Sequence, residues 1–228
     1  MNGANKSFMK SPTDWLASNL IVYNVSQAGH GSDNPFGQQL GTIGTELPTE
    51  DFDLRKLGSI VNAGGKAKEY DLKQLDEAVN KKGKARKVSD NTHVIKAYFL
   101  PWGPGQTYSG KLGANASYFF TPTLNGCTFA YSGSASAPSV AHSNFVDANT
   151  ITDQNAIDTD LAAKFGGAAP ATTYVKTDYK RGGPKMDYRA MVVGVREGTD
   201  WSFYVQEYSV DLHKGGLVRE GVNLCKQI

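Results

Sequence analysis

Cys127-Thr128-Phe129-Ala130-Tyr131, the small-residue run Ser132 to Ser139, and Val140-Ala141-His142 read together as a β-hairpin. Aromatic and apolar residues on both sides of a Ser/Gly/Ala-rich turn are the pattern of two short paired strands. A turn centred between Ser134 and Ala135 sets Cys127 directly opposite His142. Directly opposed residues have Cβ atoms roughly 4.5–5.5 Å apart. A thiol and an imidazole at that separation can share a hydrogen bond, the first requirement of a cysteine–histidine nucleophile pair. The register is left open by the loop length and by Pro138, because a slip of one residue sends one partner to the other face. The same residues also read as a small buried thiol beside a satisfied histidine, since buried cysteine commonly behaves as an inert small hydrophobe.

Outward from this hairpin, strands dominate. Val94 to Leu100 reads as a strand closed by Pro101 and the turn Gly103-Pro104-Gly105, and Tyr118 to Phe120 leads into the cysteine segment. Met191 to Val195 and Trp201 to Val210 flank the turn Glu197-Gly198-Thr199-Asp200, a second hairpin. Helices are fewer. Ser11-Pro12-Thr13-Asp14 is a helix start, with Ser11 as N-cap and Pro12 at the first helical position. Trp15, Leu16 and Leu20 lie on its apolar side, and Leu20 to Tyr23 can already be a strand. Leu72, Leu75 and Val79 fall at i, i+3 and i+7 and predict a helix from Tyr70 to Lys82. Ile157, Leu161 and Phe165 predict another over Thr152 to Phe165, stopped by Gly166-Gly167. Residues 26 to 50 and 166 to 187 are rich in turn formers and read as long loops.

The chain has 228 residues, 39% hydrophobic and 11% aromatic, with 25 glycines, which suits a strand-rich globular core with many turns. Neither an internal repeat nor a linker is visible, so one domain over residues 1–228 is the simplest organisation. The 24 basic and 22 acidic residues nearly balance, so whole-chain charge does not point to nucleic acid. The basic run from Lys81 to Lys87 carries no interleaved aromatics, which argues against single-strand binding and for a solvated linker. No apolar run is long enough to span a membrane. The first residues lack the apolar region of a secretory signal.

Other chemistries lack their marks. Neither G-x-x-x-x-G-K-[ST] nor a strand-to-helix G-x-G-x-x-G occurs, so no nucleotide cofactor is expected. No CxxC pair or HExxH helix exists, and His30, His93, His142 and His213 are widely spread, so no metal is expected. Two cysteines, Cys127 and Cys225, do not make a disulfide framework, and a free Cys127 fits a reducing compartment. Asn5, Asn24 and Asn115 match N-x-[ST] by chance.

Leu124-Asn125-Gly126-Cys127 resembles the Leu-Ser-Gly-Cys signature of the cysteine-dependent glutamine deamidase toxins, the cytotoxic necrotizing factors and the Burkholderia lethal factor family. Phe99-Leu100-Pro101-Trp102 and Phe119-Phe120-Thr121 resemble segments of the lethal factor upstream of its cysteine. Val192-Val193-Gly194 and Trp201-Ser202-Phe203-Tyr204 look like its C-terminal strands. The likeness covers patches of residues 94 to 210, and residues 1–90 are divergent or peripheral. Asn125 stands where the family has serine, Pro122 and Thr123 replace bulkier residues, and the cysteine-to-histidine separation is closer to that of the necrotizing factors.

The resemblance implies an α+β fold, a central β-sandwich of two mixed sheets with flanking helices. It implies Cys127 as nucleophile and His142 as base, oriented by the main-chain carbonyl of Thr121. Leu124, Asn125 and Gly126 then shape the turn; because Gly126 lets the chain turn sharply just before it, the N–H of Cys127 is the natural donor to the oxyanion. It implies a toxin or virulence factor, made in a bacterial cytoplasm and delivered to a host cytosol, that converts one glutamine of a host protein to glutamate. The implied substrate is a translation-initiation RNA helicase, whose modification inhibits translation, or alternatively a Rho-family GTPase. No cofactor and a monomer are expected. Asn144, two residues past His142, can support the imidazole from the same side of a strand. Transglutamination uses the same residue pair, a cysteine protease would cleave its target, and a non-catalytic β-sandwich binding module with a structural Cys127 remains the reading from a different class.

Overall fold

The computed structural model of the chain describes residues 3–23, 43–62, 65–75, 94–149, 151–179, 186–211 and 218–228. The N-terminal part is two short helices, α1 (Gly3–Lys10) and α2 (Pro12–Ser18), running directly into strand β1 (Asn19–Val22). Proline occupies the first turn of α2 as expected, where its missing N–H costs no intrahelical bond. Ser11 occupies the N-cap position but makes no side-chain bond to the backbone there; its hydroxyl donates to Asp14 Oδ2 at 2.6 Å. Trp15, Leu16 and Leu20 are buried.

Next come β2 (Thr49–Asn62) and β3 (Gly65–Gln74), a long hairpin. This corrects the helix expected from Tyr70: residues 70–74 are strand, and residues 76–82 lie outside the described ones. The physical reason is position in the sheet. β3 lies between β2 and β1, and Glu69 to Leu72 are all buried. A strand buried on both faces has no alternation, and its apolar spacing can mimic a helix turn. The tail of the loop expected over residues 26 to 50 is likewise strand from Thr49, while residues 26–42 lie outside the description.

The remaining elements are β4 (Ile95–Phe99), β5 (Gln106–Lys111), β6 (Tyr118–Phe120), β7 (Thr128–Ser132), β8 (Ser139–Asn144), α3 (Gln154–Lys164), β9 (Thr172–Tyr174), α4 (Lys176–Tyr179), β10 (Met186–Glu197), β11 (Asp200–Asp211) and β12 (Val218–Gln227). The hairpin of β10 and β11 turns where expected, with Glu197 opposite Asp200 and Gly198 at φ +61°. The helix expected over Thr152 to Phe165 is α3. Asp153 caps it by accepting from the Ala156 N–H at 3.0 Å, and Gly166 and Gly167 end it at φ +79° and +91°. The loop expected over 166 to 187 carries β9, α4 and the start of β10.

The strands form two sheets, eight in the order β1-β3-β2-β12-β11-β10-β6-β4 and four in the order β5-β8-β7-β9. The fold is mostly β with a few helices. Two features of the expected sandwich need correction. The larger sheet is mixed, with parallel pairs at β1/β3, β12/β2 and β4/β6, but the smaller is antiparallel throughout. The larger sheet is also curled rather than a flat layer, because β4 returns to pair with the first residues of β2. The 14-residue β2 makes this possible: Thr49–Phe52 meet β4, while Val61 and Asn62 meet β12. Strand twist accumulating across the sheet brings those distant ends of one strand to different neighbours.

Alternation along the strands builds two large cores beside smaller clusters. Tyr98, Leu100, Phe119, Val192 and Phe203 of the larger sheet or its flanks cluster with Tyr108, Phe129, Val140 and Tyr174 of the smaller one. Their chain neighbours Phe99, Phe120, Met191 and Val193 belong to a second core with Phe8, Trp15 and Leu16 of the N-terminal helices. Residues on one strand point alternately to opposite faces, so the two cores lie on opposite faces of the curled sheet. Helix α3 packs on the outer side of the smaller sheet, with Ile157 and Leu161 against Ala130 and Ala141.

Candidate active site

The hairpin that opened the sequence forms, with its register displaced by two residues. Phe129, not Cys127, lies opposite His142, and Thr128 lies opposite Ser143. The ladder closes at Ser132 and Ser139, the turn centre shifts to between Ala135 and Ser136, and the Trp201 N–H holds the turn tip through Ala135 C=O at 2.8 Å. A displacement of two conserves the face. His142 shares its face with Phe129 on β7 and with Tyr108, its partner on β5. Those two residues and Cys127 belong to the core between the sheets.

His142 is fully buried. The Thr121 hydroxyl donates to the Leu100 carbonyl at 2.8 Å and lies 2.7 Å from His142 Nδ1. A hydroxyl has a single hydrogen, and the carbonyl, which can only accept, takes it. Nδ1 must therefore carry a proton and donate to Thr121 Oγ1, which leaves Nε2 with a bare lone pair. Among the described residues Nε2 has no hydrogen-bond partner, so Cys127 is not bonded to it in this structure. Thr121 thus meets the imidazole through its side chain, in place of the main-chain carbonyl expected from the resemblance. Leu100 is itself fixed by its N–H to Phe120 C=O at 3.0 Å, and β4 and β6 run side by side to set this spacing.

Burial pulls the His142 pKa down to about 3. It pushes the Cys127 thiol up to about 11, opposed by a hydrogen bond from the backbone of Asn125. Both groups are therefore neutral at pH 7, which removes the depressed-pKa route to a thiolate and leaves proton transfer to Nε2 as the means of activation. A stability prediction follows. Between pH 6.5 and about 3 the unfolded chain binds a proton at His142 that the folded chain does not. Stability is complete above that window and falls as pH drops through it, by about 1.4 kcal/mol per pH unit. Denaturant midpoints of the protein and of His142→Gln across this range should converge toward low pH. A constant difference between them would show that the imidazole titrates normally.

The cysteine turn is gripped from three sides. Leu124 exchanges both main-chain hydrogen bonds with Ala190 of β10, at 2.7 and 3.1 Å. The Gly126 N–H donates to Tyr179 Oη at 2.8 Å, and Tyr179 donates to the Cys127 carbonyl at 3.0 Å. Thr152 Oγ1 donates to the Gly126 carbonyl at 3.0 Å and accepts from Lys176 Nζ at 2.9 Å. Gly126 sits at φ +90°, and a Cβ there would lie 2.6 Å from Thr152 Oγ1. Only glycine tolerates both conditions. Tyr179 in turn stacks on Tyr174, whose hydroxyl donates to buried Glu207 at 2.6 Å. Leu124 is buried and Asn125 exposed. Asn144 ends β8 opposite Gln106.

Sequence reading picked out Cys127, His142, Thr121 and Gly126; the structure joins Thr121 to His142 and sets Gly126 and Cys127 together in one braced turn. Sequence reading missed Tyr179, Thr152 and Lys176. Tyr179 and Lys176 fall in a stretch that reads as loop, Thr152 reads as a helix start, and the bonds of Tyr179 and Thr152 to this turn join residues 26 to 53 positions apart, with Lys176 reaching Thr152 across 24. No local pattern carries such a signal. His30, His93 and His213 lie outside the described residues. Cys127 and Cys225 are both free thiols. Among the described residues, no three His, Cys, Asp or Glu side chains gather as a metal site, and no helix is long and apolar enough to cross a membrane. Asn5 is buried, its amide bonded to Asp53 Oδ1 and to the Leu54 N–H.

No protein-family model and no curated protein matches this sequence. Among solved structures, the chain is similar to the C-terminal domain of CNFy from Yersinia pseudotuberculosis, with a TM-score of 0.39 and 11% identity over 100% of both chains.

Proposed function

We propose that the protein is a cysteine-dependent deamidase that converts a glutamine of a host protein to glutamate. One observation carries this reading: buried His142 has its proton fixed on Nδ1 by Thr121 and its Nε2 bare, on the face of the core that holds Cys127. The resemblance of Leu124-Asn125-Gly126-Cys127 to the deamidase toxin signature supports the choice of reaction and makes a translation-initiation RNA helicase the first target to test.

In the reaction, Nε2 takes the thiol proton as sulfur attacks the side-chain carboxamide carbon. The resulting oxyanion is stabilised by the Cys127 N–H. The imidazolium returns its proton to the amide nitrogen, the C–N bond breaks, and ammonia leaves a thioester. Nε2 then deprotonates water, which adds to the thioester. The C–S bond breaks, the thiol regains a proton, and glutamate remains. Closing the site against bulk water strengthens each electrostatic interaction within it.

The thiol's burial and raised pKa favour a second reading, a binding module with an inert Cys127. Peptide mass spectrometry of a eukaryotic cell lysate treated with the protein separates them. The deamidase reading predicts a discrete glutamine-to-glutamate conversion that Cys127→Ser abolishes and His142→Ala reduces at least about a hundredfold. An unchanged lysate would leave the binding module; cleaved chains would mean a protease, and amine-modified glutamines a transglutaminase.

A further inference from the structure

We propose that Thr152, braced by Lys176, is a positioning residue that aims the Cys127 N–H at the oxyanion; the inference rests on the deamidase reading. The argument is one of peptide geometry. The Gly126 carbonyl and the Cys127 N–H belong to one peptide unit, which is planar and trans, so the two groups point in opposite directions. A force that fixes the carbonyl fixes the N–H. That carbonyl accepts from Thr152 Oγ1 at 3.0 Å. The same hydroxyl accepts from Lys176 Nζ at 2.9 Å, which orients its single hydrogen toward Gly126 and strengthens the bond.

The neighbouring peptide units are held separately. Tyr179 binds the Gly126 N–H and the Cys127 carbonyl, at 2.8 and 3.0 Å, and so fixes the units before and after. Thr152 holds the carbonyl of the unit that carries the oxyanion donor, while the N–H of that unit also faces the Tyr179 hydroxyl. The closeness of Thr152 to Gly126, where a Cβ would lie 2.6 Å from its hydroxyl oxygen, shows that side-chain volume at residue 126 has been given up to this contact.

Thr152 is also well placed to hold a constant position. It bridges to Val146 in an antiparallel pair. Asp147 N–H donates to the Ile151 carbonyl at 2.8 Å, and Asp147 Oδ1 accepts from the N–H groups of Asn149 and Ile151, each at 2.9 Å. Asp153, the next residue, caps α3. The hydroxyl thus reaches the cysteine turn from a loop tied at both ends.

The test compares Thr152→Val, which keeps the shape and removes the hydroxyl, with Thr152→Ser, which keeps the hydroxyl. Three readouts are taken on the full chain: glutamine conversion in the eukaryotic lysate, iodoacetamide labelling of Cys127 at pH 9, and melting temperature. Alkylation forms no oxyanion, so it reports the thiol but not the donor. Thr152→Val should slow conversion by about tenfold to a hundredfold, with labelling unchanged. Thr152→Ser should convert within about threefold of the parent, and Lys176→Met should fall between the two. Equal conversion by Thr152→Val and the parent would overturn the proposal. So would a parallel loss of labelling, conversion and melting temperature not rescued by serine, which would make Thr152 a structural tie only. If the parent converts no glutamine that Cys127→Ser fails to convert, the deamidase reading itself falls and this role falls with it.

Discussion

Replacing Thr121 by valine is expected to lower the rate of glutamine conversion by about a thousandfold or more. Valine fills the same volume, so the effect is one of protons rather than packing. Without the hydroxyl, Nδ1–H of His142 loses its acceptor and the Leu100 carbonyl loses its donor. Nothing then prefers the Nδ1–H tautomer, and with the proton on Nε2 the ring cannot accept one from Cys127. In a serine triad, removing the group that fixes the tautomer costs about ten-thousandfold. Two buried groups left without partners cost stability as well, about 1–3 kcal/mol each, so the variant should be assayed well below its melting temperature. Thr121→Ser keeps the hydroxyl and should stay within about tenfold of the parent. Nitrogen-15 chemical shifts of the imidazole give a readout that packing does not move: a protonated Nδ1 and a bare Nε2 in the parent, exchange between tautomers in the valine variant. Unaltered shifts and turnover in Thr121→Val would remove Thr121 from the mechanism.

The largest expected loss of stability lies far from this site. Gln206 on β11 is fully buried, and its amide satisfies three main-chain groups. Oε1 accepts from the Ile21 N–H at 2.8 Å, while Nε2 donates to the carbonyls of Leu16 and Asn19 at 2.9 and 2.6 Å. The chain passes from α2 into β1 across those three residues, where a helix end leaves carbonyls without intrahelical donors. Gln206→Leu would strip this partner from all three groups, of which the Ile21 N–H and the Leu16 carbonyl are buried. At about 1–3 kcal/mol per orphaned group, the total is about 3 kcal/mol or more. A chain of this size should then melt roughly 6–12 °C lower. Calorimetry or denaturant titration checks this; a change below about 1 kcal/mol would mean that the helix-to-strand passage is held by its apolar contacts alone.

What the sequence disclosed follows from how locally each feature is determined. The β10–β11 turn is specified by Glu197-Gly198-Thr199-Asp200 itself, and α3 by Asp153 at its start and two glycines at its end. Ser11-Pro12 likewise places α2. By contrast, β3 is a strand because β1 and β2 lie on either side of it, which no window over Leu72 and Leu75 can register. The cysteine hairpin lies between these cases. Its strands and its face were legible, but its register depended on a hydrogen bond from Trp201 to the turn tip. The site divides in the same way: Cys127, Gly126, His142 and Thr121 sit on short segments with recognisable chemistry, whereas Tyr179 and Thr152 act only through contacts made after folding. That Thr121 contributes its hydroxyl rather than its carbonyl is a matter of χ1, and a motif specifies residue types, not rotamers.

The return of β4 to β2 has a consequence for how the protein behaves in a crowd. A flat eight-stranded sheet would present two flanks of unpaired N–H and C=O groups, each a template onto which another chain can add. Here one flank is consumed internally, since β4 spends its outer side on residues 49–52. Among the described residues, the remaining flank of that sheet is β1, four residues long. So short a ledge gives little purchase for strand-by-strand growth, and aggregation through the larger sheet would first require β4 to be peeled from β2.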